Sequence, residues 1–146
     1  AAGAKQLAGR VVGDMWAGVV GLSDFAAFTE YGNPMIMQIT SPPIQDSKMK
    51  VFIRLFEVYM QALGQTANAN PPVDDPKLWL DYSRDGGATF VDALLPRSIG
   101  RTGVNTARLR WQSLGSARMW VLRLTCAAPV RRAIIGTYIN RRLGQS

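Results

Sequence analysis

The sequence predicts an all-β protein whose main body is an antiparallel β-sandwich. Short runs rich in β-branched and aromatic residues alternate with clusters of Gly, Pro, Asn and Asp, which is the pattern of sandwiches, barrels and propellers. Signals for helices are scarce, and 47% of the 146 residues are hydrophobic, which is enough to close a core of ordinary size. No apolar run approaches the roughly 20 residues of a membrane-spanning helix. We therefore expect a globular β protein without membrane insertion.

The first 45 residues are predicted to form a partial β segment that resembles a piece of a propeller blade. It is too short to be a domain alone, so the sandwich is placed over residues 46–146. Clusters of turn-forming residues separate its strands. The predicted elements are two short strands within residues 10–22 around Gly13-Asp14, a turn at residues 31–34, and a strand over residues 35–40 that ends at Ser41-Pro42-Pro43.

The sandwich is predicted to contain five strands. The first, over residues 49–63, also satisfies a helical stripe, but its β-branched and aromatic content favours a strand with both faces covered. A polar loop over residues 66–76 follows it. The other strands are expected at residues 77–82, 104–114, 119–126 and 130–140, with turns at Asp85-Gly86-Gly87 and at Gly115-Ser116.

Alternation in the strand over residues 104–114 assigns its two faces. Ala107, Leu109 and Trp111 share one face, which we expect to be buried, and Arg108 and Arg110 share the other. Both arginines should then face solvent in an isolated subunit and contact an acidic neighbour or DNA in an assembly. Replacing both with Gln is expected to leave the isolated fold intact.

The residue types exclude most catalytic machinery. The chain has no histidine and one cysteine, Cys126, so it can build neither an internal disulfide nor a Ser-His-Asp or Cys-His triad. A zinc site would have to rest on one thiolate plus carboxylates, which is a poor ligand set. Glycoside hydrolysis needs only two carboxylates, and the ten acids leave it open. We expect no enzymatic activity, no cofactor and no metal site.

Charge is distributed unevenly along the chain. Residues 1–92 hold 7 Lys or Arg and all 10 Asp or Glu, whereas residues 93–146 hold ten Arg and no acid. The electrostatic field of this charge distribution can steer the protein toward a polyanion or an acidic partner. Alternatively, the cations pair with the acidic half of the same subunit or of a neighbouring copy. The candidate contacts to DNA or to a partner are Arg108, Arg110, Arg118, Arg131 and Arg132.

The sharpest local motif is an Asp box, S-x-D-x-G-x-T-aromatic. Its residues are Ser83, Asp85, Gly87, Thr89 and Phe90. Short polar side chains at these positions can hydrogen-bond the turn backbone, the glycine permits an unusual backbone angle, and the aromatic ring is expected to anchor the hairpin in the core. Asp boxes recur in sialidase-like propellers, where they are structural. We therefore expect a structural role, with a carbohydrate-binding role as the alternative.

The order of motifs from residue 80 onward resembles the C-terminal region of the bacteriophage packaged-DNA stabilisation proteins, the tail-hub or nozzle components of short-tailed phages. An upstream segment, GDMWAGVVGLSDFAAFTEYGNPMIMQITSPPI, is also similar to a part of these proteins. The runs that carry the resemblance are LDYSRDGGATF, PRSIGRTGVNTARLRWQSLGSARMWVLRLT and PVRRAIIGTYIN.

This resemblance implies a structural virion protein of a phage tail rather than an enzyme. Such a protein forms a ring, here expected to hold six copies, below the portal and adaptor. It retains packaged DNA without reading its sequence and forms part of the ejection channel. Its partners would be copies of itself, the portal, the adaptor, other tail proteins and viral DNA. It would reside in the virion, and in the host cytoplasm during assembly.

Two other classes of function stay open at this stage. A carbohydrate-binding or sialidase-like module would use the Asp box and exposed tryptophans, but strand faces that need a core are expected to bury most of the four tryptophans. A non-specific DNA-binding module would use the arginine-rich last third of the chain, by contact with phosphate. The tryptophans are Trp16, Trp79, Trp111 and Trp120.

Overall fold

The structure is a computed structural model that confirms the all-β fold class. It describes residues 10–13, 16, 18, 20–23, 29–30, 33–61, 75–91, 94, 96–100 and 106–144. Within these residues there are twelve strands and no helix. The strands are β1 (Arg10–Gly13), β2 (Val20–Ser23), β3 (Thr29–Glu30), β4 (Asn33–Pro34), β5 (Met37–Thr40), β6 (Ile44–Gln45), β7 (Val51–Gln61), β8 (Lys77–Ser83), β9 (Arg97–Ser98), β10 (Ala107–Ala117), β11 (Met119–Cys126) and β12 (Ala133–Leu143).

Two antiparallel sheets form the sandwich. The three-stranded sheet has the order β10-β7-β12, and the larger sheet has the order β5-β11-β8-β9, with β6 also paired to β11. Strands β10 and β11 are consecutive and belong to different sheets, so the chain crosses from one layer to the other at Arg118. Two separate antiparallel pairs, β1-β2 and β3-β4, lie within the N-terminal segment.

The ambiguous segment over residues 49–63 contains a strand, β7, as predicted; residues 62 and 63 lie outside the described residues. β7 lies at the centre of its sheet, with β10 on one side and β12 on the other. Val51, Ile53, Val58 and Met60 are buried, whereas Phe52 is exposed between the first two of these. The expectation that both faces of this strand are covered is wrong, because Phe52, Arg54 and Tyr59 are exposed on the face turned away from the core.

The predicted faces of β10 are confirmed, but the predicted turn at Gly115-Ser116 is wrong. Leu109 and Trp111 are buried, and Arg108 and Arg110 lie on the opposite face. The strand continues to Ala117 through an irregularity between Gln112 and Gly115. Ser113 has φ 57° and Gly115 has φ 98°, so the small residues serve a β-bulge rather than a chain reversal.

The core lies between the two sheets. Trp111 stacks on Phe56, with ring centroids 6.0 Å apart. Trp120 is completely buried, and its Nε1 donates a hydrogen bond of 2.8 Å to the carbonyl oxygen of Val51 in the opposite sheet. Around these rings, aliphatic residues from both layers close the interior. They are Ile53, Val58, Met60, Leu78, Leu80, Ile99, Leu109, Leu114, Leu122 and Leu124.

The N-terminal segment contributes strands to the sandwich. β5 and β6 precede the predicted boundary at residue 45, and both pair with β11, which follows it. The expected strands around Gly13 are present as the pair β1-β2. The resemblance of residues 1–45 to a propeller blade and the boundary itself stay predictions. Of the predicted loop over residues 66–76, residues 66–74 lie outside the described residues.

Candidate anion-binding surface

The Asp box forms a closed, hydrogen-bonded turn at the end of β8. Ser83 Oγ donates to Asp85 Oδ1 over 2.5 Å and accepts from the Gly87 N–H over 2.8 Å. The Asp85 carboxylate also accepts from the N–H and the hydroxyl of Thr89. The hydrogen bond from Ser83 and those from Thr89 hold the pKa of Asp85 well below its ordinary value. Because these polar side chains bond one another, the geometry supports a structural role.

The aromatic residue of the Asp box has a different neighbour from the one expected. Phe90 is half-buried and lies outside the core cluster formed by the described residues. The guanidinium of Arg123 instead lies 3.9 Å from the centroid of its ring. Arg123 is itself held by an ion pair of 3.0 Å with Asp81. A cation–π contact therefore fixes the hairpin where core packing was expected.

Arg84, a variable position of the motif, has a positioning role that the sequence did not reveal. Its Nη2 donates a hydrogen bond of 3.0 Å to the carbonyl oxygen of Leu114, and its guanidinium lies 5.2 Å from the ring centroid of Tyr82. It also fills the space above Gly115, where a Cβ would come within 2.9 Å of Arg84 Nη2. The Asp-box hairpin thus supports the bulge of β10.

Replacing Asp85 with Ala or Gly87 with Val is expected to lower the melting temperature. The first change removes the acceptor for Ser83 and Thr89, and the second places a β-branched residue at φ 101°, a strain of about 1–3 kcal/mol. Thermal unfolding followed by circular dichroism measures both. Ala88→Ser, at an exposed position of the same turn, is the control and should melt like the parent. Unchanged melting in both variants would contradict the structural role.

A buried acid organises the outer face of the three-stranded sheet, which is the face of this sheet turned away from the core. Glu57 is 2% exposed. Arg108 donates to both of its carboxylate oxygens, with the shortest contact at 2.7 Å, and Arg110 Nε lies 2.8 Å from Oε1. Tyr59 donates a further hydrogen bond of 3.2 Å. The hydrogen bonds from Arg108 lower the pKa of Glu57 despite the opposing effect of burial.

The five predicted contact arginines separate into three groups. Arg108 and Arg110 are each 47% exposed but share the Glu57 carboxylate, so their charges are partly balanced within the subunit. Arg132 donates to the carbonyl oxygens of Ala128 and Met35, which ties the N-terminal segment to the β11–β12 connection. Arg118 and Arg131 are exposed and have no hydrogen bond or ion pair with the described residues.

The described acids of the sandwich are engaged within the chain, so they offer few free carboxylates to its other cations. Every acid between residues 46 and 91 that the structure describes is bonded within the chain; these are Asp46, Glu57, Asp75, Asp81 and Asp85. Over the described residues, five arginines have no partner, namely Arg54, Arg97, Arg118, Arg131 and Arg142. Among the described residues, ion pairs with the subunit's own acids hold Arg108, Arg110 and Arg123. The five arginines without a described partner are candidates for contact with an external anion.

Exposed aromatic rings lie with Arg54, Arg108, Arg110 and Arg142 on the outer face of the three-stranded sheet. Tyr59 is 38% exposed, Tyr138 52% and Phe52 42%. Tyr138 is the register partner of Glu57, and Arg142 is the register partner of Phe52. Aromatic and guanidinium groups alternate across the strands here, an arrangement that can stack on planar groups and bind oxyanions. Phe52, Arg54 and Arg142 were not among the predicted site residues.

The tryptophans offer little support for sugar stacking. Trp111 and Trp120 are buried, Trp79 is half-buried, and Trp16 is 89% exposed.

Burial raises the pKa of the Cys126 thiol above its ordinary value. The described residues contain no group of three or more Cys, Asp or Glu side chains placed to bind a metal ion together. In the same part of the chain, no helical segment could cross a lipid bilayer.

The protein is a β-sandwich, and the outer face of its three-stranded sheet carries exposed arginine and aromatic side chains. No protein-family model matches the chain. No curated protein is significantly similar to it.

Proposed function

We propose that this chain is a structural module of a phage tail hub or nozzle. In this proposal copies of the chain form a ring below the portal and adaptor, retain packaged DNA and line part of the ejection channel. The observation that carries the binding part is the set of arginines that have no partner among the described residues, on a sandwich whose described acids between residues 46 and 91 are all bonded internally. Such a surface attracts a polyanion irrespective of base sequence.

The resemblance to packaged-DNA stabilisation proteins supports the choice of polyanion. The Asp box, the R-x-R-W run at residues 108–111 and the closing strand carry that resemblance, and all three lie in the ordered sandwich. Their polar groups serve the fold: the box closes a turn, and Arg108 and Arg110 neutralise Glu57. A DNA-binding module outside a virion uses the same surface and is the second candidate. The unpaired arginines favour it over a sugar-binding module.

Binding to random-sequence duplex DNA is expected to weaken steeply with salt, because each neutralised phosphate releases counterions. Arg118→Gln and Arg131→Gln should each lower the slope of log K against log salt by about 1. Lys77→Gln is the matched control, since Lys77 already lies 3.5 Å from Asp75. Fluorescence anisotropy over a salt series measures these slopes.

Two outcomes would contradict the proposal. Binding that is independent of salt, or slopes equal in all three variants, would remove the role of these arginines in contacting DNA. The ring is checked on the same sample by sedimentation velocity, where we expect a closed assembly of six copies. A monomer that persists at high concentration and in the presence of tail proteins would contradict the ring.

A further inference from the structure

A cleft opens at one end of the three-stranded sheet, where β7 begins, β12 ends and β10 is bulged. Its volume is about 640 Å³, within the roughly 300–1,000 Å³ that small-molecule sites occupy. Three separate segments form its walls. The residues that matter here are Phe52, Arg54, Ser113, Gly115, Arg142 and Gly144.

Two guanidinium groups line the cleft and have no counterion among the described residues. Arg54 belongs to β7 and Arg142 to β12, and both side chains are exposed. Neither has a hydrogen bond or ion pair with the described residues, and no acid is among the residues that line the cleft. Two forked donors in one concave site match the geometry of a phosphate group.

An aromatic ring lines the same cleft and packs against Gly144. Phe52 is 42% exposed and pairs in register with Arg142. A Cβ at Gly144 would come within 2.6 Å of Phe52 Cε2, so the ring occupies space that only glycine leaves free. The Gly144 N–H donates a hydrogen bond of 2.8 Å to the carbonyl oxygen of Lys50, and this bond fixes the position of Gly144. The ring is a positioned stacking platform rather than a loose surface side chain.

The third wall of the cleft is also fixed. Ser113 and Gly115 belong to the β10 bulge, whose Leu114 carbonyl accepts the hydrogen bond from Arg84. The backbone of this wall therefore needs little ordering when a ligand enters, whereas the exposed side chains of Arg54 and Arg142 would become ordered on binding.

We propose that this cleft binds one nucleotide unit of single-stranded nucleic acid, with its phosphate between Arg54 and Arg142 and its base on Phe52. Stacking on an aromatic ring next to a cationic groove is the general mode of single-strand binding. In a duplex the bases stay stacked on each other, so only the phosphate contacts remain. The site thus prefers single strands to duplex DNA. This preference goes beyond retention of a packaged duplex and does not depend on the role in a tail.

The test compares a short oligothymidine with an abasic oligomer of the same length, both labelled for anisotropy. Phe52→Leu should weaken binding of oligothymidine about tenfold and leave the abasic oligomer unchanged. Gly144→Ala, which displaces the ring without changing charge, should have the same effect. Arg54→Gln with Arg142→Gln should weaken both ligands. The control, Arg97→Gln with Arg131→Gln, removes two unpaired arginines that do not line the cleft and should weaken oligothymidine less.

Three results would overturn the proposal in variants that melt like the parent. The first is equal loss of oligothymidine binding in the cleft pair and in the control pair. The second is equal affinity of the parent for the abasic oligomer and for oligothymidine. The third is displacement of oligothymidine by oligoglutamate but not by thymidine monophosphate, which would assign the cleft to an acidic protein segment. If one of these three results is found and duplex binding still depends on salt, the cleft proposal is contradicted but the proposed function is not.

Discussion

Replacement of Trp120 by Ala is expected to lower the free energy of unfolding by about 3–5 kcal/mol. The side chain is fully buried, its ring centroid lies 5.5 Å from that of Tyr82, and its Nε1 donates to the Val51 carbonyl across the two sheets. Truncation would therefore leave a cavity in the core and also remove a bond that joins the layers. Urea unfolding followed by circular dichroism measures the loss.

Trp120→Phe separates the two contributions. Phe retains an aromatic ring but has no donor, so this variant should lose less than the Ala variant, about 1–3 kcal/mol, because a hydrogen bond to a buried carbonyl is removed. The described packing would be wrong if the Ala variant unfolded at the same urea concentration as the parent. It would also be wrong if the Phe variant lost as much as the Ala variant.

Periodicity was enough to predict the strands and the faces of β10. Side chains alternate strictly along a strand, so the apolar Leu109 and Trp111 identify the buried face, and Arg108 and Arg110 must take the other. The partner of these arginines was not predictable. Glu57 meets them only because β10 pairs with β7 in a register that places Arg110 opposite Glu57, and a single sequence does not reveal that register.

The turn at Gly86 and Gly87 was predicted correctly, whereas the turn predicted at Gly115 is a bulge. Gly86 and Gly87 form the turn of the Asp box, where the surrounding Ser and Asp identify the motif. Gly115 also has a positive φ, but it belongs to a bulge within a continuous strand. Turns and bulges require the same backbone angles, so local composition cannot separate them.

The cleft could not be predicted from the sequence. Phe52, Ser113 and Arg142 lie far apart along the chain and come together only through the β10-β7-β12 order. Each residue alone resembles an ordinary strand residue. The count of charges did indicate unpaired arginines, because the last 54 residues contain ten and no acid, but only the structure shows which of them have partners.

The Glu57 cluster changes the expectation that Arg108 and Arg110 can be replaced without effect on the fold. Glu57 is 2% exposed in the parent, and with both arginines changed to Gln its carboxylate would lose both cationic partners and keep the hydrogen bond from the Tyr59 hydroxyl. A buried charge without a cationic partner is strongly destabilising. We therefore expect Arg108→Gln with Arg110→Gln to lower the melting temperature, and the further change Glu57→Gln to restore most of it, since no buried charge then remains.

The pH dependence of the same variants gives an independent check. The folded protein holds the pKa of Glu57 below its ordinary value of 4.5, chiefly through the hydrogen bonds from Arg108. A lowered pKa stabilises the folded state above that ordinary value, and this stabilisation is lost as the pH falls below 4.5 through the folded-state pKa. The parent should therefore lose stability in this range more steeply than the triple variant, in which position 57 does not titrate. Equal slopes, or a double variant as stable as the parent at neutral pH, would show that Glu57 and its two arginines do not act as one unit.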